Sequence, residues 1–423
     1  MQILSRQDFP TDRKAFVKDF ISGITVAIVA LPLAIGFGIT SGMSAAAGIS
    51  TAIIAGFIAG LLGGSRFQVS GPTGAMTVVL IPVIHNYGIV AIPTLGFMAG
   101  VIVLLMALFK LGNLIKKVPI SVVEGFTVGI ALVISLQQIP YALGVSKGQG
   151  ERTLEVAANT VSDALDIGLK WQTILVVAIT LLIKFNIVRI VESFKIKMYF
   201  PASFSALFLT TLLVNAFDMN VSFIGEIPRN VSTYTSPFLA SGDYLSLLLP
   251  AFSIAILVAI ESLLSARVAD DISNTPLDKQ FRPNQELVGQ GAATAVASIF
   301  GGMPATGAIA RTNVNVRSGA ITRVSAMVHS IFLLLIVLFL APIFSHIPSA
   351  AIAGVLIGTS FRIFNKASML EIFRSSKSNI FIYIITALVT VSIDLIWGIA
   401  VGIALYLIIN QFKRAITTKI FRK

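Results

Sequence analysis

The 423-residue sequence predicts an all-α polytopic membrane protein of fourteen transmembrane segments, arranged as a 7+7 inverted repeat, with short extended stretches before half-helices 3 and 10. Three observations predict it. Hydrophobic residues make up 56% of the chain and charged residues 12%, with a mean hydropathy of +0.90, whereas a soluble domain carries about a quarter charged residues. Apolar runs recur along the whole length, separated by basic loops. Thr-Gly-Ala occurs at 73–75 and again at 306–308, each time just after a proline and a Gly-Gly pair. A soluble enzyme and a disordered chain are excluded, since neither can hide that much apolar surface.

Crossing roughly 30 Å of hydrocarbon takes about 20 residues in a helix. In chain order the apolar runs fall at 20–41, 46–63, 73–86, 89–109, 118–140, 172–191, 200–216, 245–266, 286–300, 306–317, 322–344, 348–361, 378–393 and 395–411. The runs 73–86 and 306–317 are too short to cross as helices, and each follows a Gly/Pro-rich stretch. Counting them gives fourteen, which returns the C-terminus to the side of the N-terminus. The segment 1–19 and the tail 412–423 are then both cytoplasmic.

Charge placement tests this count. Of 31 Lys and Arg residues, 26 fall on the side of the N-terminus, four (Lys147, Arg152, Lys170 and Arg229) on the other, and Arg311 inside a segment. Such asymmetry orients a chain with both termini in the cytoplasm. The net charge of +12 therefore addresses the bilayer, and no nucleic-acid partner is expected. The expected location is the cell (inner) membrane, crossed many times. The first apolar run is too long for a cleavable signal. With no Cys and three scattered histidines, His85, His329 and His346, neither a disulfide framework nor a metal site is expected.

The doubled motif suggests where a ligand binds. Its copies lie in segments 3 and 10, seven apart, so they enter the membrane from opposite sides, as inverted repeats do. Pro72 and Pro304 favour extended backbone before a helix start. Two helix starts meeting at mid-membrane present free N–H groups and positive dipole ends to a small anion. Arg311, one turn into the second short helix, adds a full positive charge. Glu261 lies mid-span in AIESLLSARVAD and can carry a proton, bind sodium or pair with Arg311; intramembrane charges mark pathways or partners. With the site empty, Glu261 is expected to be ionised and paired with Arg311, the one cation expected within the hydrocarbon. Glu124 reads as an interfacial acid, and the loop acids Asp270, Asp271 and Asp278 as solvated.

Five stretches carry a resemblance: DFISGITVAIVALPLAIGFGITSG (19–42), VSGPTGAMTVV (69–79), IESLLSARVAD (260–270), NQELVGQGAATAVASIFGGMPATGAIART (284–312) and TVSIDLIWGIAVGI (390–403). The chain resembles the SulP (sulfate permease) anion transporters, bacterial relatives of the prestin and pendrin solute carriers. The resemblance implies a core domain (20–110 and 245–345) and a gate domain (111–216 and 346–411). It also implies an anion held between the third and tenth helix starts. Carried over by position, Thr73, Gly74 and Ala75 form one start, and Gly307, Ala308, Ile309 and Ala310 the other. Arg311 becomes the site arginine, Phe37 an aromatic wall and Glu261 the coupling carboxylate. Glu at 261 is similar to the proton-linked branch, so H+ is the expected coupling ion, Na+ the alternative, and no cofactor is expected. A homodimer is compatible with the resemblance. Most members carry a STAS domain after the last span, which the twelve residues of 412–423 cannot supply.

The function expected is secondary active transport of a small anion such as sulfate, bicarbonate or a short dicarboxylate, by proton symport with alternating access, and not enzymatic. The alternatives weighed are a nucleobase permease of the same fold, which Arg311 disfavours, and an anion channel or exchanger. An intramembrane prenyltransferase needs two acidic motifs on one face, and Asp163 and Asp166 lie across the membrane from Asp270 and Asp271.

Overall fold

The computed structural model describes residues 8–115, 118–150, 152–193, 202–225, 244–364, 366–393 and 395–420. The basic residues Arg6, Lys116, Lys117, Lys195, Lys197, Arg229, Arg422 and Lys423 lie outside the described residues, as does the start of the run at 200–216. Helices dominate. The first half contains α1 (Arg13–Thr40), α2 (Ala45–Leu62), β1 (Ser70–Gly71), α3 (Gly74–Tyr87), α4 (Ile92–Leu108), the short α5 (Gly112–Ile115), α6 (Ile120–Gln137), α7 (Ile139–Leu143), α8 (Thr153–Ile167), α9 (Trp171–Ser193) and α10 (Ala202–Ala216). The second half contains α11 (Tyr244–Ile272), α12 (Pro283–Ile299), β2 (Thr306–Gly307), α13 (Ile309–Arg317), α14 (Val324–Phe344), α15 (Ser349–Ile363), α16 (Lys366–Arg374), α17 (Lys377–Ser392) and α18 (Leu395–Ile420).

Every apolar run has its helix, but their lengths differ. Among the described residues five helical stretches are long and apolar enough to cross a membrane: Arg13–Thr40, Ala45–Leu62, Ile89–Leu108, Ile120–Leu143 and Tyr244–Ile272. Two helices fall in stretches expected to be loops. In α8, buried Ala157, Thr160 and Ala164 share one face while Glu155 and Asp166 stay exposed. In α16, Ile372 packs with Val128 and Tyr383. Both are amphipathic and too polar to register as apolar runs.

Helix packing falls into two groups. In one, α1 packs on α14 and α2, and α4 on α12 and α11, with α13 against α11 and α1. In the other, α6 packs on α17, α17 on α18, and α15 on α9, α10 and α6. Small residues permit the closest contacts, because packing and hydrogen bonding drive helix association in lipid. A Cβ added at Gly100 of α4 would lie 2.6 Å from the Gly291 carbonyl of α12 and 2.7 Å from Ala295. In the second group, Thr386 and Thr390 of α17 fit between Gly125 and Gly129 of α6 on one side and Gly398 and Gly402 of α18 on the other.

Two loops correct the charge reading. Asp270 is buried rather than solvated; its Oδ2 accepts from the Phe281 amide at 2.7 Å and its carbonyl from the Thr275 amide at 3.0 Å. A backbone that must turn back across the end of α11 needs those acceptors. Arg323 is likewise buried, in an ion pair with Asp8 at 3.1 Å that Arg282 shares at 3.0 Å.

Gly100→Val should force α4 and α12 apart. Overpacking typically costs about 1–3 kcal/mol, so the detergent-solubilised variant is expected to melt clearly below wild type in a thermal unfolding assay. Gly100→Ala, which puts a single methyl into the same contact, is expected to melt between wild type and Gly100→Val.

Candidate functional site

Pro72 holds the chain extended, and Thr73 follows with φ −128° and ψ 160°. Its side chain accepts from the Met76 amide, an N-cap that starts α3 at Gly74. In the second half, Ala308 occupies the corresponding position before α13, with no side-chain cap. The extended stretches before both helices pair antiparallel, Ser70 with Gly307 and Gly71 with Thr306. This two-stranded ladder brings the two helix starts together inside the helical bundle.

Glu261 of α11 faces the junction. Its Oε2 accepts from the Thr306 hydroxyl at 2.7 Å and the Thr73 hydroxyl at 3.1 Å, and the two hydroxyls are 3.2 Å apart. One carboxylate oxygen thus touches both halves of the chain. Glu261 is partly accessible, as are Ile309 and, to a greater degree, Ala310 at the start of α13.

Arg311 does not form the expected ion pair with Glu261. It is 1% exposed and its Nη2 donates to the Pro72 carbonyl, while its Nη1 has no partner. The reason is geometric: Arg311 lies in the first turn of α13 and its guanidinium reaches the Pro72 carbonyl beside Gly71 instead. Gly71, with φ +155°, leaves room for the guanidinium; a Cβ there would collide with Nη1. Arg311 therefore braces one helix start against the residue that precedes the other.

The remaining predicted residues converge on the same place. Phe37 of α1 is buried with its ring edge against Gly74; its Cε1 lies 3.3 Å from where a Cβ would stand. Ala75 is buried behind Gly74. The amides of Gly307 and Ala308, however, are already engaged: Gly307 donates to the Ser262 hydroxyl at 3.0 Å and Ala308 to the Val69 carbonyl at 3.0 Å. The amides left open to a ligand at this end are those of the first helical turn, Ile309 to Arg311. The space left by the missing Gly307 side chain is filled by the Gln68 amide.

Sequence reasoning missed what supports the ladder. Glu286 of α12 is 1% exposed and accepts four hydrogen bonds: from the Gly64 and Ser65 amides at 2.8 Å each, from Gln68 at 2.9 Å and from Gln290 at 2.8 Å. Gln290 also donates to the Ser70 hydroxyl at 2.6 Å. The signal was present in the spacing. Glu286, Gln290, Thr294 and Ser298 recur every fourth residue, so one face of an apolar run is polar; all four are buried. Lys184 was also misplaced. It is fully buried in α9, its stem along Gly358 of α15 and its ammonium donating to the Val355 carbonyl and the Thr359 hydroxyl. Arg311 is thus not the only buried cation.

Removing the Glu286 carboxylate should destabilise the ladder. Glu286→Leu strands two backbone and two amide donors, each costing about 1–3 kcal/mol when buried without a partner. Glu286→Gln keeps an acceptor for the two backbone amides. Thermal melting in detergent is expected to rank wild type above Glu286→Gln and Glu286→Leu lowest; equal melting temperatures would refute the brace.

With this geometry in view, the chain was compared with known proteins. The model of the "Sulfate permease family" matches residues 16–386. YvdB of Bacillus subtilis is 37% identical over 395 residues, which cover 92% of this chain and 72% of that protein. The bicarbonate transporter BicA of Synechocystis is 31% identical over 396 residues, 91% of this chain and 68% of that one. The structure of the transmembrane domain of a cyanobacterial BicA superposes with a TM-score of 0.81 at 29% identity, covering 92% of this chain and 98% of that domain. The match spans both helix starts and α11 between them, and the family comprises membrane transporters, not enzymes. The chain belongs to the sulfate permease family.

Proposed function

We propose that the protein is a secondary active transporter of a small anion, such as sulfate, bicarbonate or a short dicarboxylate. It works by alternating access as a proton symporter in the cell (inner) membrane, with both termini cytoplasmic. The carrying observation is the β1–β2 ladder, which sets two helix starts side by side with a buried arginine behind them and a carboxylate bonded to both. Helix starts favour anions through free N–H groups and the dipole, and Arg311 raises the local potential without occupying the ligand's place.

The fourteen segments form a 7+7 inverted repeat, with a core at 20–110 and 245–345 and a gate at 111–216 and 346–411. The two packing groups support that division. The family relationship supports an anion as substrate, since BicA is a bicarbonate transporter.

Glu261 couples the proton. Ionised, it repels an anion arriving at Gly74 and Ile309. Protonated, it does not, so anion and proton strengthen each other's binding, and by linkage the effect is reciprocal. Because Thr73 both caps α3 and donates to Glu261, the charge on Glu261 is felt at the helix start itself.

The test is uptake of labelled anion into proteoliposomes. Wild-type uptake is expected to rise with an inward proton gradient, and Glu261→Gln to lose that dependence while still exchanging anion. Uptake that follows sodium and ignores the proton gradient would overturn the coupling. Arg311→Ala, checked for folding by its melting curve, should weaken anion binding in calorimetry about tenfold to a hundredfold, the scale of a lost charged interaction.

A further inference from the structure

Two glycines beside Phe37, Gly74 of α3 and Gly36 of α1, are covered by helices of the second packing group. Gly74 is the first residue of α3 and carries one of the open amides of that helix start. The space its side chain would occupy is filled by Ile134 of α6, with the Phe37 ring on its other flank. Gly36, next to Phe37 in α1, is covered in the same way by α15, with Leu356 Cδ1 at 2.7 Å and Ile352 Cγ2 at 2.8 Å from a Cβ placed there. Ile134 is 4% exposed and continues a buried apolar stripe of α6 with Phe126 and Ile130. Nothing polar on α6 replaces it at this point. Its position is fixed from behind, because Gly125 and Gly129 seat α6 against α17.

We infer that Ile134 is a specificity-determining residue: its side chain sets how large an anion the α3 helix start accepts. This rests on the transporter reading above. The Ile134 side chain meets Gly74 where a bound anion would face the amides of Gly74 and Ala75. Because Ile134 packs directly on Gly74, a bound anion lies beside its side chain, and a longer one meets a branched side chain that cannot fold away at χ1. Shortening Ile134 opens space on the ligand side without touching an amide, Arg311 or Glu261. Apolar walls discriminate by about 10–200-fold per methylene of misfit, so the effect falls within reach of transport assays.

The experiment uses the full chain in proteoliposomes and one labelled anion, sulfate, competed by bicarbonate, oxalate, malonate and succinate. For Ile134→Ala the ratio of succinate to sulfate apparent affinity is expected to rise about tenfold, with proton dependence unchanged. Ile134→Val, one methyl smaller, is expected to move the same ratio in the same direction by less, and covers the case in which Ile134→Ala does not fold. An unchanged ratio in a folded variant overturns the proposal, as does an equal loss of affinity for every anion, which would make Ile134 only a packing residue. A wild type inert toward the whole series overturns the transporter reading itself, a result distinct from an active wild type with an unaltered profile.

Discussion

Extended backbone inside a bilayer has to find its hydrogen-bond partners within the protein, because hydrocarbon supplies none. Here the two extended stretches find them largely in each other. Pairing of Ser70 with Gly307 and Gly71 with Thr306 satisfies backbone that both proline-bounded motifs leave open, and the arrangement around it follows from that need. Val69 donates to the Thr312 hydroxyl and accepts from Ala308, Gly307 donates to Ser262, and Ser70 receives Gln290. Each satisfies a group at the edge of a ladder only two residues long. Helices α3 and α13 start where they do because the ladder ends there.

The same constraint separates the roles of the charged groups. Glu286 is surrounded by four donors and is structural, gathering the turn after α2 onto α12. Glu261 receives only hydroxyls and stays partly accessible, which leaves it free to change its protonation. Arg311 sits between these cases. A buried guanidinium with one carbonyl partner and one unpartnered nitrogen is held in place yet not neutralised, a useful condition for a fixed positive potential near an anion.

Much of this was legible in the sequence, for identifiable reasons. Apolar run length showed where the long helices lie, because lipid thickness imposes it, but it missed the amphipathic α8 and α16. The repeated Pro and Thr-Gly-Ala located both extended stretches and both helix starts, because backbone preferences there are local. What could not be read was who bonds to whom across the chain. The Glu261–Arg311 pair was inferred from charge alone, whereas a two-hydroxyl clamp from Thr73 and Thr306 satisfies the carboxylate. Gly307 looked like an open amide until Ser262 was placed beside it. Lys184 was assigned to the membrane surface because lysines usually sit there, and only the groove at Gly358 shows how its stem is accommodated between helices.

The brace between Glu286 and the Gly64–Ser65 turn joins positions up to 222 residues apart in the chain. During synthesis, the first half of the protein therefore leaves the ribosome with β1 unpaired and the turn after α2 lacking its acceptor. At about 5–20 residues per second, α12 and β2 follow roughly ten to fifty seconds later. For that interval α3, a 14-residue helix behind an unpaired strand, packs on α1 and α6 but lacks α11 and the pairing of its preceding strand. Biogenesis must therefore keep the first half in a sheltered, wet or protein-lined environment until the second half arrives to close it.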